Sequence, residues 1–225
     1  MDQRGFRQIG AFFEALSQKP TRDTLYRGHA DVSWSMQPSA YRPGKKGITE
    51  REALHRWSRV AARFASPVPR NDIEWLVLAQ HYGVPTMLLD WTESPLIALF
   101  FACYGEDQAD GCVWQVRTGS AFTHFHYHET VDPFRRERDR PGLIWATAMN
   151  ARTLAQDSAM SLHCGPLDNI PSALMRQVYT VPSAEKADTL SALKVLGFTR
   201  ERLFSDISMA VDVFLDDIAD RSNSV

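Results

Sequence analysis

Several features are scarce in this chain, and each scarcity removes a class of protein. Cysteine occurs three times in 225 residues, at Cys103, Cys112 and Cys164. An odd number at wide spacing gives neither a disulfide framework nor a Cys-x-x-Cys metal knuckle, and leads to the expectation of a reducing, cytoplasmic setting. No basic block is present: 25 Lys+Arg against 27 Asp+Glu leave a formal charge of −2, so there is no strong nucleic-acid signature. Long apolar runs are missing too. Pro95 to Tyr104 is too short to span a bilayer, and the opening Met1-Asp2-Gln3-Arg4-Gly5-Phe6 has no apolar signal region, so no membrane association is expected. There is no internal repeat, and no low-complexity tract beyond Ser222 to Val225.

What is present is enough apolar material, 44% of the chain, for one domain over residues 1–225 with its own core. Apolar spacing at Ile9, Phe12, Phe13 and Leu16 predicts an N-terminal helix within 1–20. An α/β core over 24–182 opens with Thr24-Leu25-Tyr26-Arg27-Gly28, a strand running into a turn. Pro38, Pro43 and Gly44 make the next stretch a loop. Leu54, Trp57, Ala61 and Phe64 predict a helix over Glu50 to Phe64. Gly111 to Arg117, Leu143 to Ala148, Ser158 to Cys164 and Met175 to Val181 read as strands. Helical spacing returns over 185–219, broken at Gly197.

The densest information lies in Ala79 to Pro95. Asp72 to Tyr82 has helical spacing and is stopped by Gly83 and Pro85. Thr86 to Leu89 reads as a short buried strand. Ser94-Pro95 supplies an N-cap and an N1 proline for the helix that follows. Asp90 to Glu93 is thereby expected as a loop between a strand end and a helix N-terminus, a place that favours anions. A core needs none of Gln80, His81, Asp90 or Thr92. Each also has a structural use: Asp90 and Thr92 as helix caps, Gln80 and His81 as loop supports, and Trp91 as a core residue instead of a stacking platform. Arg27 beside Gly28 either binds a ligand or bonds turn carbonyls. His124, His126 and His128 alternate on one strand face, where Glu129 or Asp132 would complete a metal shell; that pattern supports a metal-dependent hydrolase as an alternative.

Taken in order, Tyr26-Arg27-Gly28-His29 running into Trp34 to Arg42, then Gln80-His81-Tyr82-Gly83-Val84-Pro85-Thr86, Leu88-Leu89-Asp90-Trp91-Thr92 and Ser94-Pro95, resemble the FRG domain family. Arg152 to Gln156 and Gly197 to Asp206 extend the likeness over roughly residues 24 to 215. The chain departs from the family where Met87 replaces a usual arginine and where Gln156-Asp157-Ser158-Ala159-Met160 replaces Gln-x-Gly-x-Phe. The resemblance implies an α+β fold: a mixed or split sheet flanked by helices, similar to the ADP-ribosyltransferase core. It implies NAD as substrate, with Arg27 on the phosphates, Thr92 on the ribose and Gln156 near the reacting carbon. Gly28, Gln80, His81, Asp90, Trp91 and Arg152 would line the nucleotide site. Gln156 can position and hydrogen-bond but cannot act as a general base. ADP-ribosyl transfer or NAD cleavage is one expected outcome; a non-catalytic module recognising a nucleotide or a partner protein is the other. A macromolecular acceptor and a phage-defence or toxin setting in bacteria follow from the same resemblance.

Overall fold

The computed structural model describes residues 3–16, 23–125, 131–135, 140–145, 158–165, 170 and 174–204. Among them lies a seven-stranded sheet of order β4-β5-β6-β2-β1-β3-β7. Its strands are β1 (Thr24–His29), β2 (Leu88–Thr92), β3 (Gly111–Arg117), β4 (Thr123–Phe125), β5 (Gly142–Trp145), β6 (Ser158–Leu162) and β7 (Met175–Val181). Only β4 and β5 pair in parallel; the other neighbours are antiparallel. The expected α+β class with a mixed sheet and flanking helices is what forms. The helices are α1 (Gln3–Ala15), α2 (Arg51–Ala61), α3 (Asp72–His81), α4 (Pro95–Cys103), α5 (Thr118–Ala121), α6 (Lys186–Val195) and α7 (Arg200–Phe204). None of them is long and apolar enough to cross a membrane.

Register determines which side chains share a face. Tyr26 pairs with Thr92, Asp90 with Met160 and Leu88 with Leu162, so all six point the same way. Over β1 and β3 that face is covered by α1, α4 and α6 around Phe12, Tyr26, Leu99, Val113 and Leu193. Over β2, β5 and β6 it is covered by α2 and α3 around Leu54, Leu76, Leu88, Ile144 and Leu162. The opposite face gathers Leu25, Leu89, Trp91, Val116, Leu143 and Ala159 under Phe122 and Ile170.

Helix α4 lies almost directly on the sheet. Its sequence is apolar all round, as a helix buried on most sides must be, and Ser94 caps it by accepting from Ile97 N at 3.4 Å with Pro95 in the first turn. A Cβ on Gly28 would stand 2.0 Å from the carbonyl oxygen of Ala98, so this strand position admits no side chain. Helix α3 is capped by Asn71, whose side chain accepts from Glu74 N at 2.9 Å. It closes in a Schellman turn: Gly83 has φ +79°, with Val84 N on Ala79 O at 2.9 Å and Gly83 N on Gln80 O at 3.0 Å.

Two expected boundaries move. Strand β2 starts at Leu88, later than the apolar run suggests, and extends through Thr92. Thr86 and Met87 are committed elsewhere: Ser39 Oγ accepts from Thr86 N at 3.1 Å, and Met87 O accepts from His163 N at 3.0 Å. Asp90 to Thr92 are therefore strand residues, and the anion-binding loop expected over Asp90 to Glu93 does not exist as such. Helix α2 ends at Ala61, short of Phe64, which is 82% exposed. Within the loop after β1, Ser39–Tyr41 forms a single 3-10 turn.

Candidate functional site

Arg27 alternates with Tyr26 and Gly28, so it projects from the face opposite α4. Strands β1 and β2 are in register only at Tyr26 and Thr92. Beyond that pair the Arg27 side chain makes the connection between them. Its Nη1 donates to Asp90 O at 2.6 Å and its Nε donates to His29 Nε2 at 3.1 Å. Nη2 makes no hydrogen bond among the described residues. Burial first, then the nearby Arg42, lower the guanidinium to about 10, while Asp90 pulls the other way; at neutral pH it is a cation.

His29 is 1% exposed. Because Nε2 accepts from Arg27, the ring proton belongs on Nδ1. Nδ1 is buried and makes no well-aligned hydrogen bond, although the Trp34 main chain lies close enough to pull the pKa upward. Burial, with Arg27 and Arg42 adding to it, drives the imidazole down to about 3. The ring sits at 6.1 Å from Trp34 and 6.5 Å from Trp114, centroid to centroid.

Arg42 returns to this place from the far end of the loop. It lies 5.9 Å over the Trp34 ring, and its Nε donates to Gln37 O at 3.3 Å. Burial lowers its pKa and Asp90 opposes that. Among the described residues no carboxylate is within ion-pair distance of Arg27 or Arg42, whereas Arg51 and Arg56 elsewhere on the surface do form ion pairs. Asp90, the carboxylate whose field both arginines feel, is held by Gln80, whose Nε2 donates to Oδ1 at 2.6 Å. Gln80 Oε1 in turn accepts from Thr86 Oγ1, and Thr86 Oγ1 accepts from Leu88 N at 3.2 Å.

The structure thus brings together Arg27, Asp90 and Gln80 from the residues singled out in the sequence. The others take different places. Gly28 faces α4. Thr92 is 4% exposed on the α4 face, and its Oγ1 accepts from Ser94 N at 3.1 Å. Trp91 is 2% exposed, edge-on to Phe122, and donates from Nε1 to Ser161 Oγ at 2.8 Å. His81 ends α3 with its ring edge against Tyr82. Arg152 and Gln156 lie outside the described residues, as do His126, His128 and Glu129. His124 is on β4, and Asp132 is engaged by Arg51 at 2.7 Å. Among the described residues no group of three His, Cys, Asp or Glu side chains could hold a metal ion.

Buried Ser161 and His163 form a second polar pair, with Oγ and Nε2 at 2.8 Å. Trp91 supplies the further hydrogen bond at Ser161, so this group ties strands together inside the core. Cys103 and Cys112 are pushed up to about 12 and about 11 by burial, which disfavours the reactive thiolate.

His29, Trp34 and Arg42 are the site residues that motif reading passed over. All three stand within the run from Tyr26 to Arg42 that carries the family likeness, so the signal was present; what was missing was the return of the loop that sets Arg42 beside Arg27. No curated protein and no solved structure matches the chain. A family model, that of the FRG domain, does match, over residues 22–111, the stretch that holds Arg27, His29, Trp34, Arg42, Gln80 and Asp90.

Proposed function

We propose that the chain binds a dinucleotide, NAD being the first candidate, and acts as an ADP-ribosyltransferase-like enzyme. The observation that carries the reading is the pair of guanidinium groups at Arg27 and Arg42, partly withdrawn from water and, among the described residues, in ion-pair contact with no carboxylate, although both feel the field of Asp90. Burial lowers the proton affinity of both, and Arg42 lowers that of Arg27 further, so the arrangement favours the arrival of an anion. A diphosphate supplies two negative groups and enough acceptor oxygens to engage both forks at once. Arg27 is preset for this role. His29 and the Asp90 carbonyl fix its plane, while the Asp90 carboxylate is directed to the other face of the sheet, where Gln80 holds it.

Chemistry would follow from holding the dinucleotide with its nicotinamide ribose strained towards an oxocarbenium-like state. Gln156 is the residue proposed to meet that sugar. Thr92 is given no part in it, since its hydroxyl serves the turn into α4 on the other side of the sheet. One observation favours a second reading, a recognition module that binds without turnover: the carboxylate near Arg27, Asp90, is occupied by Gln80 and is poorly placed to act as a general base.

Titration of NAD into wild type, Arg27→Ala and Arg27→Lys, with heat and free nicotinamide both read, tests the proposal. Saturable binding should be lost in Arg27→Ala and weakened at least tenfold in Arg27→Lys, whose single ammonium cannot make both bonds and still meet phosphate. Nicotinamide release marks the enzyme, and binding without release marks the recognition module. Undiminished binding in a folded Arg27→Ala protein would sink the site.

A further inference from the structure

The loop after β1 carries more of this site than an anion clamp requires. Trp34 stays 39% exposed although Arg42 lies over its ring and His29 packs beside it. An indole held in place by two neighbours and still open to solvent is an unusual use of a large apolar surface away from a core. Beside it, the buried His29 ring packs against Trp34 and keeps the loop's first turn close to Arg27. Arg42 spends its Nε on Gln37 O, and its terminal nitrogens have no protein partner among the described residues. A flat apolar wall and a second guanidinium, both from the loop after β1, thus flank Arg27.

Resting on the diphosphate reading of Arg27, we infer that Trp34 and Arg42 form a nucleoside subsite: Arg42 takes the second phosphate and Trp34 stacks the base, with the buried His29 ring backing Trp34. The ligand class is therefore a nucleoside diphosphate, free or as half of a dinucleotide, and not inorganic phosphate or a phosphorylated side chain. Those lack a ring to cover Trp34. Stacking accepts any base face, so discrimination among bases would be weak.

The test compares inorganic pyrophosphate with ADP by calorimetry and tryptophan fluorescence, using wild type, Trp34→Ala, Trp34→Phe and Arg42→Ala. Their melting temperatures would be checked first, and substitution at an exposed ring should leave them near wild type. Wild type should bind ADP roughly tenfold more tightly than pyrophosphate, the size of one base–aromatic stack. Trp34→Ala should erase that preference without touching pyrophosphate, Trp34→Phe should keep most of it, and Arg42→Ala should weaken both ligands. Equal affinities in wild type, or ADP binding unchanged in Trp34→Ala, would overturn the nucleoside subsite while leaving the Arg27 anion site standing. Failure of wild type to bind either ligand would overturn both.

Discussion

At His29, burial and the fields of Arg27 and Arg42 all push in one direction, towards the neutral ring. The consequence for stability has a definite sign. In the unfolded chain the imidazole titrates near its ordinary value of about 6.5; in the folded protein it does so at about 3. Above the upper value neither state binds the proton and stability is flat. Between the two values the unfolded chain takes up a proton that the folded protein refuses, so stability falls as pH falls; the loss is complete below about 3. By pH 4 this one group should account for a loss on the order of 3 kcal/mol. Denaturant melts of wild type and His29→Gln at pH 7 and pH 4 isolate it from the carboxylates, which the two proteins share. The glutamine carbonyl can still accept from Arg27, so the variant should lose markedly less stability on acidification. Equal losses would show that His29 titrates normally and is not enclosed between the arginines.

At the scale of elements, the contact of β1 with α4 decides how firmly Arg27 is presented. The two pack backbone to backbone at Gly28, where an added methyl would overlap the Ala98 carbonyl. Neither side can yield cheaply, because the carbonyl belongs to a helix ladder and the strand is paired along its length with β3. Gly28→Ala should therefore lower stability by about 3 kcal/mol or more and shift Arg27, reducing ligand affinity even in the fraction that folds. A melting temperature within a degree or two of wild type would contradict the close approach. The glycine after Arg27 is thus explained by helix packing, which a motif reading cannot separate from ligand contact. Helix α3 was legible from its periodicity and its Gly83 stop, and α4 from Ser94-Pro95, because those signals are local. The start of β2 was not, since Thr86 and Met87 look like strand residues until Ser39, Gln80 and His163 claim their polar groups from distant parts of the chain. Arg42 was illegible for the same reason: in sequence it lies fifteen residues from Arg27, and only the folded loop makes them neighbours.

Across the whole molecule, the loop that carries Trp34 is fastened from the C-terminal side. Lys186, on α6, is 2% exposed and donates from Nζ to Ala30 O at 2.6 Å and to Glu106 O at 2.5 Å. Asp110 adds two more ties, its carbonyl accepting from Val32 N at 2.7 Å and its Oδ1 from Ser183 N at 2.8 Å. The ends of β1 and α4, the start of β3 and the entry to α6 thus meet at one buried ammonium. Its hydrogen-bond acceptors among the described residues are carbonyls, and the Asp31 carboxylate is near enough to feel its charge. Replacing it with an apolar chain of similar length would leave two carbonyls without donors. Lys186→Met should lower stability by about 2–4 kcal/mol and, under native conditions, speed amide exchange at Val32 far more than in β3, since Val32 depends on the junction for its orientation. Faster exchange there, together with weaker ADP binding and unimpaired pyrophosphate binding, would mean that α6 acts on the ligand through Trp34 alone. Uniformly faster exchange throughout the sheet would instead make Lys186 a support of the fold as a whole, and the loop would owe its shape to Asp110 and its own turns.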